Sequence, residues 1–412
     1  MELKEKCYFV KGHKNATIYD LKEEKVYSIN EEGKEILCKV LGKNVADFSK
    51  IENEFINELK KLNLIEEARI HKKNNIEKSN PNLKYVWLEI TEACNLNCVH
   101  CYGEFGKPKI NHSELISTSE WKLIIDKLRE EKCGEIQLIG GEPTVNADFI
   151  EILNYAHQKG MKRIDVFTNG TQINEKNISE LKKDNVSVRV SLYGHNDEIH
   201  DKITQVKGSF EKTTKALALL KKYNIPTRIA VVIMRENEDY INDIKNYIKS
   251  IGYDYTGYDT IRPSCANEIS KHSVSNPNIL ESRYNTEPIF YTSQKSFMDN
   301  HFYNSCWNGK LAIKSNGDII PCIFARDNVV GNIKKNTLEE IKNAIIEKWQ
   351  ITKDNIEVCK DCEFRYCCHD CRPIAKGITG NDFSKYPRCC YNPYTGEWKK
   401  VSEITKELKI KN

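Results

Sequence analysis

The chain has 412 residues, enough for two or three domains, and its 63 Lys and Arg nearly balance its 59 Asp and Glu, leaving a net charge of +4. That balance gives no nucleic-acid footprint, no apolar run is long enough to span a bilayer, and residues 1–15 lack a signal-peptide apolar core. The expectation is a cytoplasmic protein with neither nucleic acid nor membrane as partner. Sixteen clustered cysteines without an export signal point to metal binding rather than to a disulfide framework.

Residues 1–76 read as a small α+β, winged-helix-like domain. "CYFVKG", "ATIYDL" and "KVYSI" are short strands, and "EEGKEILCKVL" and "DFSKIENEFINELKKLNLI" space apolar residues three and four apart, as helices do. The polar run 71–82 reads as a linker. From 84 to 265, strand and helix patterns alternate. Strands are predicted at Val86–Ile90, Glu135–Ile139, Arg163–Phe167, Val186–Val190, Thr227–Ile233 and Asp254–Ile261. Helices are predicted at 117–131, 148–160, 177–185, 210–224 and 238–252, the first with capping-box spacing at Ser117 and Glu120. Such alternation predicts an α/β region of parallel strands with helical crossovers. The candidates are a partial (β/α)6 TIM-like barrel and an open doubly wound sheet. Residues 266–302 form a bridging segment, and 303–412 form a turn-rich region with nine of the sixteen cysteines.

The unusual residues of the middle region follow its strands. Cys94, Cys98 and Cys101 follow the first, and Gly140-Gly141-Glu142-Pro143 the second. Thr168-Asn169-Gly170, Ser191–Gly194, Met234–Asn237 and Arg262–Cys265 follow the others. In a parallel barrel these ends share one rim, where active sites are built. Three thiolates are one short of a structural zinc site, but on a four-iron cluster they leave one iron open.

"CNLNCVHC" followed by "GGEP" resembles the radical S-adenosylmethionine superfamily. The resemblance implies that Cys94, Cys98 and Cys101 hold a [4Fe–4S] cluster whose open iron takes S-adenosylmethionine. One electron then yields methionine and a hydrogen-abstracting 5′-deoxyadenosyl radical. It implies His100 near the adenine, Gly140, Gly141 and Glu142 near the methionine amino group, Ser191 near the ribose, and Ala230–Met234 along the adenine. The segment 230–234 lacks the motif's usual glycines. The chemistry belongs to the cofactor; Cys265 is the one side chain considered as catalytic. A structural zinc knuckle is the alternative.

The last region resembles the SPASM extension of radical enzymes, which carries two auxiliary [4Fe–4S] clusters. The residues are Cys306, Gly317, Cys322, "CKDCEFRYCCHDC" (359–371) and "RCCYNPYTGEW" (388–398). By that resemblance Cys306, Cys322 and Cys371 hold the first cluster, with Cys265 or another cysteine as a fourth ligand or an iron left open. Cys359, Cys362, Cys368 and one of Cys389 or Cys390 hold the second. Cys367 competes with Cys368, because Cys371 comes one residue early for the usual run. Two zinc ribbons are the alternative. Cys7, Cys38 and Cys133 read as small hydrophobes.

Residues 1–76 resemble the PqqD-like module that reads leader peptides in maturases of ribosomal peptides. That implies leader docking as an added strand on Lys25–Asn30, beside the helix in 55–65. The function implied is a radical peptide maturase that installs a crosslink, first of all a cysteine thioether, with C–C or C–O bonds next. Its partners would be a precursor peptide and a reductase such as flavodoxin or ferredoxin. Rivals are a maturase of a folded protein such as a sulfatase, a small-molecule enzyme, an iron–sulfur electron carrier and a zinc scaffold.

Overall fold

The computed structural model describes residues 1–42, 47–68, 78, 81–103, 105, 115–262 and 269–410. Most of the 71–82 linker, and Pro263, Ser264 and Cys265, lie outside the described residues. The chain divides into two compact units: Met1–Asn80 with Glu281–Asn308 and Trp349–Asn412, and Pro81–Leu280 with Gly309–Lys348. Among the described residues no helix is long and apolar enough to cross a membrane.

In the first unit β1 (Cys7–Lys11), β2 (Ala16–Asp20) and β3 (Lys25–Ile29) form an antiparallel meander. Helices α1 (Glu31–Leu41) and α2 (Lys50–Lys61) follow. Asn30 caps α1 by accepting from Gly33 N–H, and Ser49 with Glu52 closes a capping box on α2. Side chains alternate across a strand, and β2 is buried on both faces. Ile18 faces Ile36, Leu37, Ile56 and Leu59 of the helices. Tyr19, with Val10, Leu21 and Val26, instead joins Phe297, Phe364, Tyr366 and Tyr391. The Tyr19 hydroxyl donates to Glu363 O at 2.8 Å, and its ring lies 4.9 Å from that of Phe297. The N-terminal sheet is thus one wall of the core that supports the cysteine-rich C-terminus.

Strand β3 is at the edge of its sheet, as expected for Lys25–Asn30. Its start is already taken. Val26 N–H donates to Phe290 O at 2.8 Å, Thr292 N–H donates to Glu24 O at 3.0 Å, and Lys25 bridges Tyr291. Past Val26 no ladder partner lies on that side among the described residues.

The second unit contains the predicted alternation: β4 (Tyr85–Thr91), α3 (Thr118–Glu130), β5 (Glu135–Gly140), α4 (Phe149–Gln158), β6 (Arg163–Thr168) and β7 (Val186–Ser191). It continues with α5 (Asp197–Thr204), α6 (Ser209–Lys222), β8 (Thr227–Ala230), β9 (Val232–Ile233), α7 (Ile241–Ser250) and β10 (Asp259–Thr260). Strands β4 to β8 pair in parallel in chain order. A doubly wound sheet would reverse that order at a switch point, so the barrel-type winding holds. Three details differ from the sequence expectation. Strand 227–233 breaks at Val231, where pairing passes from β7 to β10. Of Asp254–Ile261 only β10 is strand, because Gly257 adopts φ +98°. The helix expected at 177–185 is one turn, Ile178–Leu181, since Asn174 and Asn177 side chains bond the local backbone instead.

The sheet also gains strands from the cysteine-rich sequence. β11 (Lys310–Ile313) pairs in parallel with β4, and β12 (Asp318–Ile320) and β13 (Gly331–Asn332) continue antiparallel. The four residues KLAI of β11, followed by the turn at Gly317 (φ +89°), carry no pattern that separates them from a loop.

Candidate functional site

The loop after β4 carries Cys94, Cys98 and Cys101. Asn97 and Val99 N–H groups donate to Thr204 O and Ile203 O at 3.0 Å each, tying the loop to the end of α5. Leu96 N–H donates to Cys94 Sγ, and Phe105 N–H to Cys101 Sγ, both at 3.4 Å. Burial pushes the Cys94 thiol up to about 11, with Glu142 and Cys101 adding to it against the Leu96 bond. Burial raises Cys98 further, helped by Cys101 and Cys94. The Cys94 and Cys98 thiols, in a poorly solvated pocket, resist ionisation. A cationic iron core bound there removes that penalty, so the donor set fits a cluster.

The second strand end explains its own glycines. Gly140 has φ +142°, and a Cβ there would stand 2.2 Å from Thr91 O; at Gly141 it would stand 2.3 Å from Ala93 O. Gly141 and Glu142 N–H donate to Thr91 O and Ala93 O at 2.9 and 2.8 Å. Both glycines therefore let "GGEP" lie against the stretch leading into Cys94. Glu142 is fully buried. Its carboxylate accepts from Thr168 Oγ1 (2.6 Å), Asn169 N–H (2.6 Å) and the Thr144 hydroxyl. Burial still holds its pKa above the usual range. The geometry makes Glu142 a brace between the ends of β5 and β6.

His100 is neutral, with its pKa pushed down to about 4 by burial and then by His272. Its ring meets Tyr193 edge-on at 4.6 Å, and its Nδ1 is buried with no partner among the described residues. An orphaned nitrogen beside the three thiols is what an absent cofactor would leave. Ser191 closes β7, opposite Ala230 of β8, and is nearly buried. Met234 is fully buried with Tyr193, Ile199, Ile203 and Ile261, and packs against Cys98. Cys265 lies outside the described residues.

The bonding of three groups was not visible in the sequence, although Asn169 and Asn237 lie at strand ends singled out there. Asn237 is fully buried; it accepts from Met234 N–H at 2.7 Å and donates to Tyr193 O and Val232 O, joining two strand ends. Asn169 Nδ2 bonds Asn95 at 2.9 Å, and Asn95 bonds Thr171 at 2.7 Å, fixing the residue after Cys94. Glu89 is fully buried and takes Arg326 at 2.7 Å, with Tyr102 beside it. Asn-Gly at 169–170 was a visible turn signal, but nothing in the sequence pairs Glu89 with Arg326.

In the first unit Cys359, Cys362, Cys368 and Cys389 form one electrostatic group. Burial raises Cys359, which Lys353 opposes and Cys389 reinforces. Burial also raises Cys362 and Cys368; Cys359 and Cys368 add to the first, and Cys389 and Cys359 to the second. Cys367 turns away: it is buried in the aromatic core, donating to Phe364 O at 3.3 Å and accepting from Tyr19 at 3.6 Å. Cys390 is fully buried with Val401 and Ile404. Cys306 and Cys371 belong to this unit and Cys322 to the other. Cys371 sits at the N-cap of α8 (Arg372–Thr379).

Residues 88–248 match the radical SAM superfamily, and residues 306–363 match the SPASM iron–sulfur cluster-binding domain. The chain is a radical SAM/SPASM enzyme, and these two domains imply S-adenosylmethionine and [4Fe–4S] clusters as its cofactors. It is 28% identical over 322 residues to the antilisterial bacteriocin subtilosin biosynthesis protein AlbA of Bacillus subtilis (strain 168), covering 74% of this chain and 70% of that protein. It is 26% identical over 337 residues to the AdoMet-dependent heme synthase of Methanosarcina barkeri, covering 74% and 95%. The structure of Streptococcus suis SuiB bound to its precursor peptide SuiA superposes with a TM-score of 0.57 at 13% identity, over 93% of this chain and 98% of that one. At that identity the likeness is one of fold.

Proposed function

We propose that the chain is a maturase of a ribosomally made precursor peptide and that it installs a crosslink, most directly a thioether from cysteine sulfur to carbon. The observation that carries the reading is a three-thiol rim, built into a barrel, in a chain whose N-terminal edge strand has no ladder partner past Val26 among the described residues. When bound, the cluster and S-adenosylmethionine supply one-electron chemistry that makes a hydrogen-abstracting radical. The chain does the rest. Cys94, Cys98 and Cys101 hold the cluster, and Gly140 and Gly141 bring the "GGEP" backbone close. Glu142 and Asn237 fix the strand ends, while His100, Ser191 and Met234 line the cofactor's place. Cys359, Cys362, Cys368 and Cys389 hold one auxiliary cluster. A flavodoxin or ferredoxin supplies electrons. The likeness to subtilosin biosynthesis favours a peptide substrate. The likeness to heme synthase supports a second reading, a small-molecule substrate.

The test is anaerobic incubation of the reconstituted enzyme, S-adenosylmethionine and dithionite with a short cysteine-bearing peptide encoded beside its gene. The expected product has lost two hydrogens and one titratable thiol. 5′-Deoxyadenosine formed with every such peptide unchanged would refute the peptide reading.

Two smaller tests follow from the geometry. Cys389→Ser should cost about four irons per chain, whereas Cys390→Ser should keep them and lower only the melting temperature, since Cys390 is core. Equal iron loss in both variants would reverse the ligand assignment. On β3, the outward N–H of Val26 fixes the direction of Ser28 N–H, two residues on. Ser28→Pro removes that donor at a position where an edge strand tolerates proline. It should raise the peptide KM by about fivefold, the worth of one net hydrogen bond, without changing peptide-independent 5′-deoxyadenosine formation. An unchanged KM would place the leader elsewhere.

A further inference from the structure

A buried cation stands beside the auxiliary cysteines of the first unit, and the proposed chemistry has not used it. Lys353 opens the turn Lys353–Asn355, and its side chain is 6% exposed. Its Nζ donates to Asp370 Oδ2 at 2.6 Å, and Arg372 donates to the same oxygen at 2.6 Å. Asp370 and Arg372 are 1% and 0% exposed. Arg372 also donates to Asp382 O and Ser384 O, which are carbonyls and carry no charge. Among the described residues Asp370 is the one carboxylate paired with Lys353 and Arg372, so the trio carries a net positive charge. A buried charge without a counter-charge costs several kcal/mol. The turn that carries Lys353 lies against the turn Cys359–Asp361, and Asp370 comes two residues after Cys368.

We propose that Lys353, Asp370 and Arg372 are the counter-charge of the cluster on Cys359, Cys362, Cys368 and Cys389, and that Lys353 raises its reduction potential so that it accepts an electron. The inference rests on the ligand assignment above. Reduction adds one negative charge to a thiolate-ligated cluster, and a fixed cation at short range in a weakly polar interior favours the more negative form. Lys353 is then a positioning residue for the last step of the crosslink. The substrate carbon, having lost a hydrogen atom, bonds to the sulfur of the substrate thiol; the thiol proton leaves to solvent, and a cluster held by Cys359, Cys362, Cys368 and Cys389 would supply the acceptor for the one electron released.

The experiment is a potentiometric titration with dithionite, followed by electron paramagnetic resonance. It uses the full chain carrying Cys94→Ala, Cys98→Ala and Cys101→Ala, so that only auxiliary clusters titrate. Lys353→Met should move one wave to more negative potential by a tenfold change in the reduced-to-oxidised ratio, about 59 mV for one electron, and leave the other wave in place. Asp370→Asn should move the same wave the opposite way, and Lys353→Arg should leave it unmoved. A purely structural role predicts no shift, or shifts of one sign in both variants, and either result overturns the proposal. If one of Lys353→Met and Asp370→Asn loses its iron, the sign in the other decides; loss of iron in both and in Lys353→Arg makes the trio a fold determinant and also overturns it. Failure of the ligand assignment looks different: Cys359→Ala with Cys362→Ala would then retain all auxiliary iron.

Discussion

Cys98→Ala should reduce 5′-deoxyadenosine formation to background. Cys98 is packed against Tyr193, Ile203 and Met234, on a loop held by Asn97 and Val99 to the end of α5. Alanine keeps the β-carbon and every one of those backbone bonds, so the loop should retain its course. What is lost is one of three ligands to the cluster that must bind the cofactor. With two ligands there is neither a stable cubane nor a single differentiated iron. Cys94→Ala and Cys101→Ala carry the same expectation. Chromatography of the reduced reaction measures the product, and circular dichroism checks the fold. Full cleavage by any of the three variants would contradict the assignment.

Deletion of residues 1–76 has the second largest expected effect, and the structure changes its nature. From the sequence, this segment is a detachable leader reader whose loss would spare cofactor cleavage. In the structure Val10, Tyr19, Leu21 and Val26 form one core with Phe297, Phe364, Tyr366 and Tyr391. Thr17 and Tyr19 hydroxyls both donate to Glu363 O, next to Cys362. Each such side chain contributes about 1.5–3 kcal/mol by burial, so losing four approaches the whole stability of a domain, about 5–15 kcal/mol. The truncated protein should therefore aggregate or lose the iron of the Cys359 group, even though β4 to β10 remain. Iron analysis and size-exclusion chromatography read this directly. A monodisperse truncation with its full iron content would show the N-terminal sheet to be dispensable to the C-terminal core. Ser28→Pro is for this reason the cleaner probe of leader binding.

What was legible follows from where the signal is local. The alternation of β4 to β8 with its helices shows because parallel strands and amphipathic crossovers each imprint a period on adjacent residues. The three rim cysteines, the glycine pair and the Ser117 capping box are likewise short-range patterns, and the box forms as its spacing predicts. The losses are long-range. Strand β11 joins β4 across more than two hundred residues, and Lys353 meets Asp370 across seventeen. Both depend on which segments fold together, and no periodicity reports that. Adjacent cysteines are a special case. Cys367 and Cys368, or Cys389 and Cys390, look alike in sequence, and only burial separates the core thiol from its neighbour. Glu142 shows the reverse: its position in the motif is plain, but its bonds to Thr168 and Asn169 reveal a brace.

The most direct test of the three-cluster radical enzyme is anaerobic reconstitution of the full chain, with iron, sulfide and zinc measured on the same sample that is then reduced with S-adenosylmethionine present. The account predicts about twelve irons per chain, matching sulfide, and 5′-deoxyadenosine formed together with methionine. Stoichiometric zinc without sulfide, and no 5′-deoxyadenosine, would contradict it.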